Sequence, residues 1–241
     1  MVYAGILAGG VGSRMGMDIP KQFIMVKDKP VIIYTIEKFL SVQEVDQIIV
    51  AVLKEFVDYT RELISTYLDT DKVVVIEGGK SRSESLLNVC DYIGLDSPNI
   101  LISHDACRPF VSERIIRDNI SLLPSYDAVG TFIPLVDTLA VFEGDLLSDV
   151  PPRDKLFSVQ TPQTFRVCDY IDCYRNLSFF DKLQITDASK VFLLNGKTVG
   201  KVEGDPSNIK ITNPTDIEFA NILIGRQKAL KREYKNNNEE E

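Results

Sequence analysis

Apolar runs of strand length alternate, over the first hundred or so residues, with stretches whose apolar positions recur every three or four residues. VYAGILAG (2–9), QIIVAVL (47–53), KVVVIE (72–77) and NILISHDA (99–106) are nearly continuous in Val, Ile and Leu, the pattern of strands covered on both faces. Between them PVIIYTIEKFLSV (30–42), EFVDYTRELISTYL (55–68) and SRSESLLNVCDYIG (81–94) carry the spacing of helices with one buried stripe. This rhythm predicts an α/β fold with a Rossmann-like, doubly wound, mostly parallel sheet.

After a helix over SERIIRDNISLL (112–123) and a strand over AVGTFIPLV (128–136), the pattern changes. LAVFEGDLLSDV (139–150) reads as two short strands around Glu143-Gly144-Asp145, a hairpin signal. A hairpin this small is marginal alone. It predicts an arm, at about 137–157, that projects and packs on a second subunit; folding back on its own domain is the alternative. Core-like pattern then resumes with SVQTPQTF (158–165), a helix over 167–177, a helix begun near Thr186-Asp187 and a strand over TVGKVEG (198–204). Asn213-Pro214-Thr215-Asp216 starts a last helix with a capping residue and Pro at the first helical position. Residues 1–225 thus read as a single domain with an arm, and the polar run over 226–241 as a frayed or disordered tail.

Composition narrows the partners. The net charge of −8 and pI near 4.9 argue against nucleic acid or anionic membrane, which need a basic surface, so any phosphate site is local. No apolar run has the length of a membrane span, and the chain opens directly on a strand, which predicts a cytoplasmic protein. The four cysteines form no CxxC pair and there is one histidine, His104, which excludes the usual Cys/His zinc site and makes triad hydrolysis a poor reading. The thiols are expected to be buried or idle.

Three loops at the carboxyl edge of the predicted sheet carry the candidate chemistry. LAGGVGSRMGMDIPKQ (7–22) fits neither a P-loop nor the dinucleotide fingerprint, since Met15 stands at the third glycine position. Its glycines still let backbone approach a ligand, its amides can form an anion nest, and Arg14 and Lys21 can face a phosphate chain. Gly78-Gly79 with Ser81, Arg82 and Ser85 can contact a flat base. Asp105 of HDACRP (104–109) can meet a divalent cation on phosphates. Alone, each has an ordinary alternative: a glycine turn with solvated cations, or an aspartate capping the next element. Together they describe a nucleoside triphosphate and its metal.

LAGGVGSRMG, PKQF, EGGKSRSES, HDACRPF, VDT, PPRD, QTPQTF, ITDAS and NIKIT, in that order, resemble the cytidylyltransferases that activate sugar-alcohol phosphates, with ribitol-5-phosphate and 2-C-methyl-D-erythritol 4-phosphate members. The resemblance covers residues 2 to about 225. It implies a nucleotidyltransferase fold, Mg²⁺ held by Asp105, and CTP and a polyol phosphate as substrates. It implies Arg14, Lys21 and Lys210 as catalytic groups, and Ala8, Gly9, Gly10, Gly12, Gly79, Lys80, Ser85 and Asp105 as nucleotide contacts. Arg108, Thr138, Arg153 and Thr161 would bind the polyol phosphate, with Gln163 in the same region, and Thr138 and Arg153 would reach across a homodimer. Without the resemblance, Arg153 reads as a loop cation held by Asp154, Lys210 as a solvated strand residue, Thr186-Asp187 as a helix cap and His104 as a structural histidine. VYAGILAGG, PKQF and TDAS lean toward ribitol 5-phosphate and hence CDP-ribitol for teichoic acid or capsule. DTLAVFEG departs from the arm of the pentitol enzymes. Methylerythritol phosphate, for isoprenoid synthesis, is the alternative, and a nucleotide-binding module without turnover stands behind both.

Overall fold

The structure, a computed structural model, describes residues 1–10, 19–95 and 98–239, the last stretch as backbone beyond Arg226. The first strand, β1, spans Val2–Ala8. A small ribbon of β2 (Met25–Val26) and β3 (Lys29–Pro30) leads into α1 (Val31–Leu40). Then follow β4 (Gln47–Val52), α2 (Val57–Tyr67), β5 (Val73–Glu77), α3 (Arg82–Ile93), β6 (Ile100–Asp105), α4 (Glu113–Leu122) and β7 (Ala128–Pro134). The second part comprises β8 (Val141–Glu143), β9 (Leu146–Asp149), β10 (Phe157–Arg166), α5 (Val167–Asn176), α6 (Phe179–Leu183), α7 (Ala188–Leu194), β11 (Val199–Glu203) and α8 (Pro214–Glu239).

Seven strands form one sheet in the order β11-β7-β10-β6-β1-β4-β5. All neighbours are parallel except at β10, which runs antiparallel to both β6 and β7. Period-two alternation sorts the side chains. Ala4, Ile6, Ala8, Ile48 and Val50 pack with Ile36 and Phe39 of α1, Ile64 of α2 and Ile115 of α4 on one face. Leu7, Ile49, Ala51 and Leu101 pack with Leu86 of α3, Tyr170 of α5 and Phe192 of α7 on the other. The result is the expected doubly wound, mostly parallel three-layer fold. The strand β5 is the exception to burial on both faces, because it lies at the sheet edge and only Val75 in it is buried.

Ser81, Ser112 and Asp187 cap α3, α4 and α7 with their side chains, and the Asn213 Oδ1 accepts from the Asp216 amide at the start of α8. Thr186-Asp187 is therefore a cap, as the bare sequence suggests. The short helix α6 and the β2–β3 ribbon are not apparent from periodicity, both being shorter than the window that reveals a repeat. The last helix, α8, keeps a helical backbone through the polar segment to Glu239, where a frayed tail is expected; the Ala, Lys, Arg and Gln residues after Gly225 are strong helix formers. The hairpin forms as predicted, turning at Gly144 with φ 61°. Every residue from Val136 to Val150 is exposed, so the arm does not fold back onto its own domain.

Candidate active site

The carboxyl ends of β1 and β6 lie side by side, with Leu7 opposite Asp105. The chain winds from β1 outward through β4 and β5, then returns to place β6 on the other flank of β1. Ligands of open α/β sheets bind at such a reversal. A cavity of about 320 Å³ opens there, and Ala8, Gly9 and Gly10 form its floor. Among the described residues, Lys21, Lys80, Arg82 and Lys210 line it against the single carboxylate of Asp105, so positive charge prevails there in a chain of net charge −8.

Lys21 begins a single 3-10 turn, Lys21–Phe23, behind Pro20. Its two successors are anchors: the buried Gln22 donates Nε2 to the Ala8 carbonyl at 2.6 Å, and Phe23 packs against Phe56 and Tyr59 with ring centroids 5.3 and 5.2 Å away. The ammonium is thus borne by a short turn pinned on its far side. Gln22 carries no role in the sequence reading; its one signal there is a polar residue between two strongly patterned neighbours.

The loop after β5 is held by Ser85, whose hydroxyl accepts from the Gly79 amide at 3.0 Å and donates to the Ser81 carbonyl at 2.9 Å. A Cβ on Gly79 would fall 2.2 Å from the Glu84 Cβ and 2.8 Å from its carbonyl carbon, and one on Gly9 would meet the Ser85 Oγ at 3.1 Å. Glycine is required because two backbones close on each other here. Lys80 and Ser85 both line the cavity, beside the N-terminus of α3, whose unpaired amides favour an anion.

Asp105 is the electrostatic hub. Its Oδ1 lies 3.2 Å from the Arg82 Nε, and its Oδ2 lies 3.3 Å from the Arg108 Nε and 2.9 Å from the Lys210 Nζ. Burial alone raises its carboxyl, but Arg82, Lys210 and Arg108 together outweigh that and hold it well below the usual carboxylate range. Lys210 sits in a loop rather than on a solvated strand and is drawn to the site by this carboxylate. Arg82 is read in the sequence with the loop that can contact a base; its pairing with Asp105 arises because α3 begins beside the carboxyl end of β6. Arg108 also donates Nη1 to the Asn208 carbonyl at 2.8 Å, tying the loop before α8 to the site.

Thr161 does not line the cavity. It lies opposite Asp105 in the continued β10–β6 register, buried, with its Oγ1 3.2 Å from the Asp105 amide and 3.0 Å from the His104 Nδ1. His104 is fully buried and burial lowers it to about 4 from 6.5. The unfolded chain therefore takes up the proton first, so stability is whole above pH ~6.5 and declines as pH falls toward 4. A loss of about 2 kcal/mol is expected between pH 7 and pH 5. Urea midpoints at the two pH values measure it, and equal midpoints contradict it. Cys107 lines the cavity with its thiol pushed up by burial to about 11, a neutral and idle group at pH 7.

The remaining sequence candidates lie elsewhere. Gln163 is buried and engaged with Ser189 and the Ala188 amide, a support for α7 rather than a cavity residue. Thr138 and Arg153 belong to the exposed arm region of their own chain, and Arg153 donates to the Val136 carbonyl at 2.7 Å instead of pairing with Asp154. Gly12 and Arg14 lie outside the described residues.

Among the described residues no cluster of three His, Cys, Asp or Glu could hold a metal by itself. The donor set fits Mg²⁺ in another mode. A carboxylate has about four acceptor positions, and three cations contact this one, so Asp105 can offer one ligand to an ion whose other ligands are phosphate oxygens and water.

A doubly wound sheet with a glycine-floored, cation-lined cavity at its point of reversal defines an enzyme of the nucleotidyltransferase class. The family model for IspD, 2-C-methyl-D-erythritol 4-phosphate cytidylyltransferase, matches residues 2–226, and the chain belongs to that family of sugar-alcohol-phosphate cytidylyltransferases. Among solved structures, the 4-diphosphocytidyl-2C-methyl-D-erythritol synthase of Anaerococcus prevotii is 28% identical with a TM-score of 0.79, over 93% of this chain and 96% of its own. The 2-C-methyl-D-erythritol 4-phosphate cytidylyltransferase of Francisella tularensis is 29% identical with a TM-score of 0.75, over 91% and 98%. That of Thermus thermophilus is 25% identical, with a TM-score of 0.72, over 92% and 98%. The lean toward ribitol 5-phosphate and teichoic acid is corrected by these matches, which back the methylerythritol alternative.

Proposed function

We propose that the protein transfers CMP from CTP to 2-C-methyl-D-erythritol 4-phosphate, releasing pyrophosphate. The observation that carries this reading is the convergence of Lys21, Lys80, Arg82 and Lys210 with Asp105 on one cavity beside the β1 glycines. Both substrates are anions, so repulsion between them is the first obstacle and added negative charge at the α-phosphoryl group the second. Positioned cations answer both.

In this reading an oxygen of the polyol phosphate forms a bond to the α-phosphorus of CTP while the bond to the bridging oxygen of the β-phosphate breaks. The nucleophile is already ionised at neutral pH, and no protein base is required. Lys21, with Arg14 by family resemblance, stabilises the α-phosphoryl oxygens, and Lys210 adds charge from the Asp105 side. Ala8, Gly9, Gly10 and, by resemblance, Gly12 cradle the nucleotide, while Gly79, Lys80 and Ser85 border the base. When bound, Mg²⁺ supplies charge neutralisation on the phosphates, with Asp105 as its protein ligand. Arg108 faces the polyol phosphate, and Thr138 and Arg153 reach it from a second copy. The last assignment is supported by the arm, which exposes Val141, Phe142, Leu146 and Leu147 together and buries none of them in its own chain. A homodimer through the arm follows, in the cytoplasm, since both highly charged substrates cross apolar bilayers poorly.

Pyrophosphate release from CTP, with methylerythritol phosphate and ribitol 5-phosphate supplied in parallel, tests the function. Release with the first alone is expected. Release with ribitol 5-phosphate alone, or CTP binding without release, overturns it.

A further inference from the structure

His104 is the chain's one histidine, and the transfer chemistry makes no use of it. Its surroundings fix every proton. The Asp105 amide can only donate, so the Thr161 Oγ1, 3.2 Å away, accepts from it. That hydroxyl then has its own proton for the His104 Nδ1 at 3.0 Å, which must be the unprotonated ring nitrogen. The other nitrogen, Nε2, carries the ring proton and donates to the Arg108 carbonyl at 3.1 Å, a group that can only accept. Phe39 closes over the imidazole with ring centroids 5.0 Å apart, and the site is fully buried, so water offers no alternative partner.

The two ends of this chain are informative. Asp105 and Arg108 are the first and last residues of one turn, closed by the Arg108 amide donating to the Asp105 carbonyl at 3.1 Å. The turn presents the Asp105 carboxylate to the cavity and pairs it with the Arg108 guanidinium. His104 and Thr161 take the two remaining backbone groups of those residues, the Asp105 N–H and the Arg108 C=O, and hold them from behind. Thr161, expected from family resemblance to touch substrate, has its hydroxyl fully engaged in this clamp.

We propose that His104 and Thr161 are positioning residues for phosphate recognition: one ordered hydrogen-bond chain, Asp105 N–H to Thr161 to His104 to Arg108 C=O, clamps both ends of the turn that carries the cavity carboxylate and the guanidinium paired with it. The kinetic part of this inference rests on the cytidylyl transfer proposed above, and the spectroscopic part does not. Displacing a group in a preorganised site by about an ångström costs up to ~10²-fold in rate.

Two measurements on the full-length protein decide it. Long-range ¹H–¹⁵N correlation of the single imidazole at pH 7 is expected to show the Nε2–H tautomer; an Nδ1–H tautomer or an imidazolium overturns the clamp, whatever reaction the enzyme catalyses. In pyrophosphate-release kinetics, Thr161→Val removes the hydroxyl at nearly constant shape and is expected to lower kcat by about 10- to 100-fold with the KM for CTP changed by less than about threefold. Thr161→Ser restores the hydroxyl and is expected to recover most of that loss. Wild-type kcat in Thr161→Val, or an equal loss in Thr161→Ser, overturns the proposal while leaving the transfer reaction standing. Should the valine variant fail to fold, the tautomer of the wild-type ring still decides.

Discussion

Lys21→Ala is expected to lower kcat at saturating CTP and polyol phosphate by about 10²–10³-fold, the usual cost of removing one preorganised donor from developing charge. The magnitude depends on where Lys21 sits. The turn that bears it is held by Gln22 on the Ala8 carbonyl and by Phe23 among Phe56 and Tyr59, and truncating Lys21 disturbs neither anchor. The variant should therefore stay folded and lose its rate. CTP affinity should fall less than kcat, because Lys80, Lys210 and Arg82 remain to attract the triphosphate. Lys21→Arg keeps the charge but not the compact ammonium and should recover part of the rate. Rapid-quench measurement of pyrophosphate checks the effect, and a near-normal kcat removes Lys21 from the reaction.

Asp105→Asn should reduce both stability and turnover. The side chain keeps its shape but abandons three cations, Arg82, Arg108 and Lys210, with side-chain exposures of 25%, 11% and 38%. Breaking a buried ion pair from one side costs ~3–5 kcal/mol. Solvent reaches Lys210 and Arg82, so about 2–3 kcal/mol is expected here. The carboxyl of Asp105 is held below its ordinary range in the folded state, so its contribution is whole above pH ~4 and disappears as acid titrates it. The wild-type protein should lose this increment below pH 4, and the variant should lack that loss. CTP should raise the melting temperature of the variant more than that of the wild type, since the triphosphate replaces the missing negative charge. Equal urea midpoints for the two proteins at pH 7 contradict the hub. Turnover should fall by at least ~10², as the carboxylate orients two of the cations that meet the phosphates.

Much of the architecture is readable because burial on both faces of a parallel sheet leaves near-continuous Val and Ile runs, and because helices over it keep one apolar stripe. Short segments such as α6 and the β2–β3 ribbon hold too little of a period to show one. In the site, Lys21, Gly79, Arg82, Ser85 and Asp105 are readable at one sheet edge, and Lys80 through the family resemblance. Gln22 is not, since a glutamine in a turn has many ordinary uses, and for Arg82 the place is readable but not the pairing with Asp105. Thr161 and His104 are legible only apart, one as a substrate contact and the other as an isolated structural residue, and the structure joins them.

By itself the sequence determined the class of fold, the strands and helices long enough to show a period, the arm, and the set of polar residues that end the strands. Those follow from local rules of spacing and side-chain chemistry, which act within a few residues. The tertiary structure alone decided which of those polar groups meet. Lys210 reaches Asp105 across more than a hundred residues of chain, Arg82 reaches it because α3 begins beside the end of β6, and Thr161 by the antiparallel register of β10. Contacts of that kind are set by sheet order and strand direction, and the reversal of β10 between two parallel neighbours leaves no mark in the spacing of its residues.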